Sequence, residues 1–237
     1  MNKPKHKLVA IVFTDIAGFT ELTSKNEPAA FELLNTQRNI LKPIVKKYDG
    51  EWLKEIGDGL LLTFSTITEA VNCSIDIQKS SKDIPNLKLR IGIHQGEVIT
   101  RGSDVLGDDV NIASRIEPFA RIGGVAVSGR VNASLERSPE FETVFLGEPD
   151  LKGVLQSVKV YSIISHGLPE GKPIVIEKEK KDLNENIQIK KANSKRILFF
   201  SLSLFIILLF FFHYDKTPKI SLEDNLEEII EKFDDED

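Results

Sequence analysis

The sequence predicts an α+β domain followed by one membrane-spanning helix, and three observations predict it. Short apolar runs of strand-like length and alternation are interleaved with two stretches of helical period. Asp15 and Asp58 each follow such a run at a glycine-containing turn. Residues 197–212 carry no charge at all.

The first run, Leu8–Phe13, is cut off by Thr14 and Asp15, which makes it too short for a secretory leader and suits it to a buried strand. Gly18-Phe19-Thr20 turns the chain into a helical stretch over 28–48, where Phe31, Leu34, Ile40, Leu41 and Ile44 recur at near-helical spacing and Pro28 fits a first turn. Asp49-Gly50 closes it. Two short strands, 51–56 and 60–65, flank Gly57-Asp58-Gly59 as a hairpin. A second amphipathic helix covers 66–82, with Ala70, Val71, Cys73, Ile75 and Ile77 as its apolar content. Leu87–His94 alternates as a strand, and Glu97–Thr100 is expected to pair back onto it across Gln95-Gly96. The order strand, helix, strand, strand, helix, strand is that of a ferredoxin-like βαββαβ core. A C-terminal extension follows: a helix over Val110–Phe119, a strand at Val125–Ser128, and a closing hairpin of Glu142–Leu146 with Val158–Ile164.

The globular domain is expected over 1–165 and a charged linker over 166–196. The run 197–212 holds six of the fourteen phenylalanines of the 237-residue chain. Extended to 214, with Lys195 and Arg196 able to snorkel and Tyr214 at the interface, it reaches the ~17 residues that a span needs. Lys190, Lys191, Lys195 and Arg196 precede the span and many acids follow it, so the positive-inside rule leaves the N-terminal domain in the cytoplasm and the tail on the far side. In tail 215–237, Leu222, Leu226, Ile229, Ile230 and Phe233 share one face of a short amphipathic helix. It is too small to fold alone, which leaves a partner, a membrane surface or disorder as its fate. The net charge of −5 and the lack of a basic face with interleaved aromatics argue against nucleic-acid binding. Cys73 is the only cysteine, which excludes an intramolecular disulfide and a thiolate zinc site.

Either aspartate alone is an ordinary turn or cap residue. Together, Asp58 between two glycines and Asp15 three residues before Gly18, they are what magnesium ions need while keeping room for water and phosphate. The Ile16–Thr20 backbone turns into a helix, where amides can point at phosphate oxygens. Farther along, Asn111 and Arg115 lie four apart, so a helix presents an amide beside a guanidinium on one face.

Five segments, Phe13–Thr20, Lys54–Gly59, Arg90–Gly96, Asp104–Glu117 and Leu151–Val154 leading to Val160-Tyr161, resemble the catalytic domain of class III nucleotidyl cyclases in order and spacing. The resemblance implies that Asp15 and Asp58, with Ile16, bind two Mg²⁺ or Mn²⁺ ions, and that the backbone through Gly18, Phe19 and Thr20 cradles the triphosphate. It implies that Lys54 and Asp104 read adenine, since an ammonium donates to N1 and a carboxylate accepts from the exocyclic amine. Guanine carries a carbonyl there, so this pair favours ATP over GTP. By the same resemblance Asn111 orients the ribose, Arg115 stabilises charge on the α-phosphate, and Lys152 contacts the β/γ-phosphates. It further implies a homodimer whose sites take metal aspartates from one copy and Asn111 and Arg115 from the other. The expected activity is adenylate cyclase, with guanylate cyclase or a silent nucleotide-binding module as alternatives. His94 is expected to be structural rather than a general base.

Overall fold

The computed structural model describes residues 5–101 and 104–174. The expected span at 197–214, the acidic tail and most of the linker lie outside the described residues. Among the described residues no helix is long and apolar enough to cross a membrane.

Strand β1 (Lys5–Ile16) leads into a short helix α1 (Phe19–Lys25) and then α2 (Glu27–Lys47). The Asn26 side chain starts α2 by accepting from the Ala29 amide at 3.1 Å, with Pro28 in the first turn where no amide is needed. Strands β2 (Glu51–Ile56) and β3 (Gly59–Phe64) form the expected hairpin. Helix α3 (Ile67–Ser81) opens on a reciprocal cap: the Glu69 amide donates to Thr66 Oγ1 and the Thr66 amide to the Glu69 carboxylate. Then come β4 (Leu89–Arg101), β5 (Asp104–Leu106), α4 (Asp108–Ile116) with a 3₁₀ turn over Glu117–Phe119, β6 (Val125–Ser128), α5 (Gly129–Leu135), β7 (Thr143–Gly147) and β8 (Val160–Ile163).

The sheet runs β2-β3-β1-β4-β6-β8-β7, with β5 paired to β4. Its first four strands have the order of a βαββαβ core, and β6, parallel to β4, begins the extension. Glu97–Thr100 does not turn back onto Leu87–His94. The two segments are one 13-residue strand, β4, paired with β1 from Lys5↔Thr100 to Ile16↔Leu89, and β5 supplies the return. The expected turn at Gln95-Gly96 fails because Gly96 serves packing there rather than chain reversal. A Cβ on Gly96 would lie 2.1 Å from Asp109 Cγ.

Alternation along β1 separates two faces. Ala10, Val12 and Ile16 join the main core under α2 and α3, whereas Val9 and Ile11, with Phe13 beside them, join Leu61, Val98, Val105 and Ala113 on the other face. The second face is covered by α4 and by the β4–β5 arm. Cys73 sits buried in the main core, where burial pushes its thiol up to about 12 and leaves it inert. Packing continues past residue 165: Leu168 joins the main core, and Ile174 packs on the cluster built around Ile112, Ile116 and Leu146.

Candidate functional site

Asp15, next to last in β1, lies on the α4 face. Across the strand pair its register partner is Arg90, so the two side chains share that face, and Arg90 Nη2 donates to Asp15 Oδ2. The β2–β3 turn brings Asp58 alongside, where its Oδ2 accepts from the Ile16 amide at 2.9 Å. Gln37 of α2 supports the turn by donating to the Asp58 carbonyl at 3.1 Å. Burial holds the Asp58 carboxyl above its usual range; the Ile16 amide opposes this and the neighbouring Asp15 charge adds to it. Next along the chain Gly18, at φ 83, takes a left-handed conformation that a side chain resists. It starts α1 and lines a cleft of ≈ 370 Å³ with Ile16, Ala17 and Phe19. Asp15, Ile16 and Asp58 therefore come together, and Gly18 and Phe19 line the cleft that follows them along the chain.

Sequence reasoning missed two residues of this cluster. Arg90 stands inside a recognised segment without a role, and Glu117 comes 27 positions later. The Arg90 guanidinium bridges Asp15 and Glu117, with Nε 3.0 Å from Glu117 Oε1. Gly92 explains how Glu117 reaches this place, because a Cβ there would lie 2.4 Å from the Glu117 amide nitrogen. Burial lifts the Glu117 carboxyl to about 7; Arg90 opposes the shift, and the charges of Asp15 and Asp58 reinforce it.

Helix α4 is fixed to β4 at both ends. At its start Asp109 Oδ2 accepts from the Glu97 amide at 2.8 Å, and Asp109 Oδ1 lies 3.0 Å from His94 Nε2 and 3.5 Å from Arg130. His94 Nδ1 meets Ser128 Oγ at 2.8 Å. Burial lowers the His94 pKa despite Asp109, which keeps the imidazole neutral and locked between two elements, as a structural histidine. Gly96→Ala should disturb these contacts at once, and we expect a loss of about 2 kcal/mol, read as a lower denaturant midpoint at unchanged m-value.

Between the two anchors Asn111 and Arg115 stand exposed on the outer face of α4, one turn apart. Among the described residues no hydrogen bond or ion pair links either to Asp15 or Asp58. Lys152 is exposed in a turn closed by the Val154 amide on the Leu151 carbonyl, and Leu151 and Val154 pack in the cluster that holds Ile112 and Ile116 of α4. A bulge in β2 directs Lys54. Trp52 pairs with Leu62 but Lys54 pairs with Leu61, so Leu53 is the extra residue. Lys54 consequently shares the face of Leu61, where Leu53 also packs, while Glu55 returns to the helix face and receives a bidentate contact from Arg38 of α2. β5, which begins at Asp104, approaches β2 within 8 Å between Cα atoms.

These residues fit divalent cations. Asp15 and Asp58 are adjacent oxygen donors that repel one another, and a cationic side chain is already drawn to them. Among the described residues no cluster of three or more His, Cys, Asp or Glu side chains could hold a metal alone. The pair suits ions whose remaining ligands are water and phosphate.

Comparison with known proteins agrees with this geometry. Residues 1–165 match the family model described as the adenylate and guanylate cyclase catalytic domain. A putative adenylate cyclase 3 of Rhizobium meliloti is 30% identical over 67% of this chain and 28% of its own length. A receptor-type guanylate cyclase, gcy-6, of Caenorhabditis elegans is 30% identical over 62% of this chain and 16% of its own. The chain thus spans less than a third of either relative. A solved adenylate/guanylate cyclase/hydrolase from Silicibacter pomeroyi superposes with a TM-score of 0.63 at 28% identity, covering 71% of this chain and all of that one. Catalytic domains of this family depend on divalent metals, as the carboxylate pair leads one to expect. With its βαββαβ core, its paired aspartates and a family match over 165 residues, the chain belongs to the adenylate and guanylate cyclase catalytic domain family.

Proposed function

We propose that the chain is an adenylate cyclase that converts ATP to 3′,5′-cyclic AMP and pyrophosphate with two Mg²⁺ or Mn²⁺ ions in a homodimer. One observation carries this reading: the chain holds two complementary half-sites that no hydrogen bond or ion pair joins directly among the described residues. Asp15, Asp58 and the Gly18–Thr20 backbone form one, and Asn111 and Arg115 on the outer face of α4 form the other. A second copy that brings its α4 to the first copy's aspartates completes the site, and two such sites follow from two-fold symmetry.

Each side chain then has a task. The backbone from Ile16 to Thr20 receives the triphosphate, and Arg90 and Lys152 are assigned to its outer phosphates. Lys54 donates to the adenine N1 and Asp104 accepts from the amine; the β2 bulge that turns Lys54 toward the second face supports this pairing. Asn111 orients the ribose so that its 3′-oxygen lies in line with the α-phosphorus. Arg115 meets the negative charge that grows on the α-phosphate as the oxygen–phosphorus bond forms and pyrophosphate leaves. Divalent cations held by Asp15, Asp58 and the Ile16 carbonyl would supply the charge that acidifies the 3′-hydroxyl and steadies the pyrophosphate. No covalent intermediate with the protein is needed.

A guanylate cyclase among the relatives makes GTP turnover the second reading. An assay of the dimer with ATP and GTP under each metal separates them: cyclic AMP is expected, and a preference for GTP, or no product with either metal, overturns the proposal. The double replacement Lys54→Glu with Asp104→Cys is expected to lower ATP selectivity by up to ~10⁴-fold, because mismatched groups are left unpaired. Unchanged selectivity would remove both residues from base reading. The charge-free run 197–212, flanked by Lys195 and Arg196, supports anchoring of the domain to the cytoplasmic side of a membrane. Release of the full chain by alkaline extraction would contradict this.

A further inference from the structure

The Arg90 guanidinium faces two carboxylates and is fully bonded to only one. Its Nη2 makes a hydrogen bond to Asp15, whereas its Nε and Glu117 Oε1, although 3.0 Å apart, are misaligned, and neither atom has a hydrogen-bond partner among the described residues. A buried carboxylate beside an unsatisfied guanidinium nitrogen is costly, since each group has given up water without a full replacement.

Glu117 cannot do the moving. Its backbone lies against Gly92, where even a Cβ would come within 2.4 Å of its nitrogen and 2.6 Å of its Cα, and its side chain is only 11% exposed. Gly92 is two residues beyond Arg90 on the same face of β4, so the acceptor is fixed relative to the base of the arginine. The mobile partner is the Arg90 side chain, which is 32% exposed. Around it Asp15, Asp58 and Glu117 set three carboxyl groups against one guanidinium.

From this arrangement, and resting on the metal role proposed above for Asp15 and Asp58, we infer that Arg90 is an exchangeable counter-cation of the aspartate pair and that Glu117 is the positioning residue that receives it when a metal takes Asp15. With Asp15 free of metal, Arg90 neutralises it and leaves its contact with Glu117 unfinished. With Asp15 turned to the metal, Arg90 completes its bond to Glu117 and stays at the site, its remaining donors directed at an incoming phosphate. Glu117 thereby lowers the cost of displacing Arg90. Because it begins the 3₁₀ turn that continues α4, the exchange also reaches the element that carries Asn111 and Arg115.

The test is a double-mutant cycle on metal affinity, measured on the full chain without nucleotide by the electron paramagnetic resonance signal of free Mn²⁺. Arg90→Met is expected to tighten Mn²⁺ binding and Glu117→Gln to weaken it, each about tenfold, with the Glu117→Gln effect falling below about twofold in the Arg90→Met background. Equal weakening in both backgrounds would mean that Glu117 acts through its charge alone, and it overturns the exchange, as does an Arg90→Met variant with unaltered affinity. Should Arg90→Met fail to fold, Arg90→Ala, which likewise cannot donate to Glu117, closes the same cycle with the same expected signs. Cyclic nucleotide production without this pattern overturns the exchange and leaves the enzymatic reading intact; the pattern without cyclic nucleotide does the reverse.

Discussion

Asp58→Asn is expected to reduce turnover by ~10³-fold or more, the scale on which loss of a transition-state charge stabiliser is felt, while the chain keeps its fold. The asparagine oxygen can still accept from the Ile16 amide, as Asp58 Oδ2 does at 2.9 Å, so the β2–β3 turn and the end of β1 stay joined. Only the charge is lost. Asp58 carries that charge against burial and against Asp15, so its removal relieves repulsion and the melting temperature should hold or rise slightly. A cyclic AMP assay with a thermal melt on the same preparation checks both halves. Substantial activity in a folded Asp58→Asn protein would dismiss the aspartate pair as the metal site, and Asp58→Ala, which also loses the hydrogen bond, would then show only a stability cost of about 1 kcal/mol.

The second large effect concerns pH and stability. Glu117 has a carboxyl raised to about 7 in the folded protein against an ordinary value of 4.5, chiefly by burial. The folded state therefore binds more protons than the unfolded state between these values, and stability falls as pH rises through that window. The contribution is fully present below 4.5 and lost above about 7. Its full size is on the order of 3 kcal/mol. Glu117→Gln keeps the shape and removes the titration, so it should flatten that part of the curve and stabilise the protein most at pH 8. Denaturant unfolding at pH 5 and pH 8 measures the difference. A slope identical to that of the native chain would place the responsible proton elsewhere.

Much of the core was legible because its signals are local. Hydrophobic periodicity located α2 and α3, Pro28 marked the first turn of α2, and the Gly57-Asp58-Gly59 turn located the β2–β3 hairpin. What escaped notice depends on contacts between distant positions. Gly96 reads as a turn residue until Asp109 is seen against it, and α5, at seven residues, is too short to show a period. Asp15 and Asp58 stand out at the ends of apolar runs near glycine turns, but Arg90 and Glu117 do not. Their association exists only through the β1–β4 register and the close approach of α4's end to Gly92. Two glycines on the face of β4 that carries Arg90, Gly92 and Gly96, were the available signal, since strands rarely spend side chains so freely without a neighbour in the vacated space.

The bulge in β2 has a practical consequence for anyone who would graft this hairpin into another scaffold. Because Leu53 is supernumerary, the segment Glu51–Ile56 cannot be transplanted by counting alternate positions from Trp52. A recipient strand that accepts all six residues in regular pairing would send Lys54 toward the α2 side and Glu55 toward the opposite one, interchanging cation and anion across the sheet. A recipient that omits Leu53 keeps the lysine's direction but loses the apolar contact beside it. Insertion length, as much as residue identity, is thus part of the design specification for which base edge this strand can address.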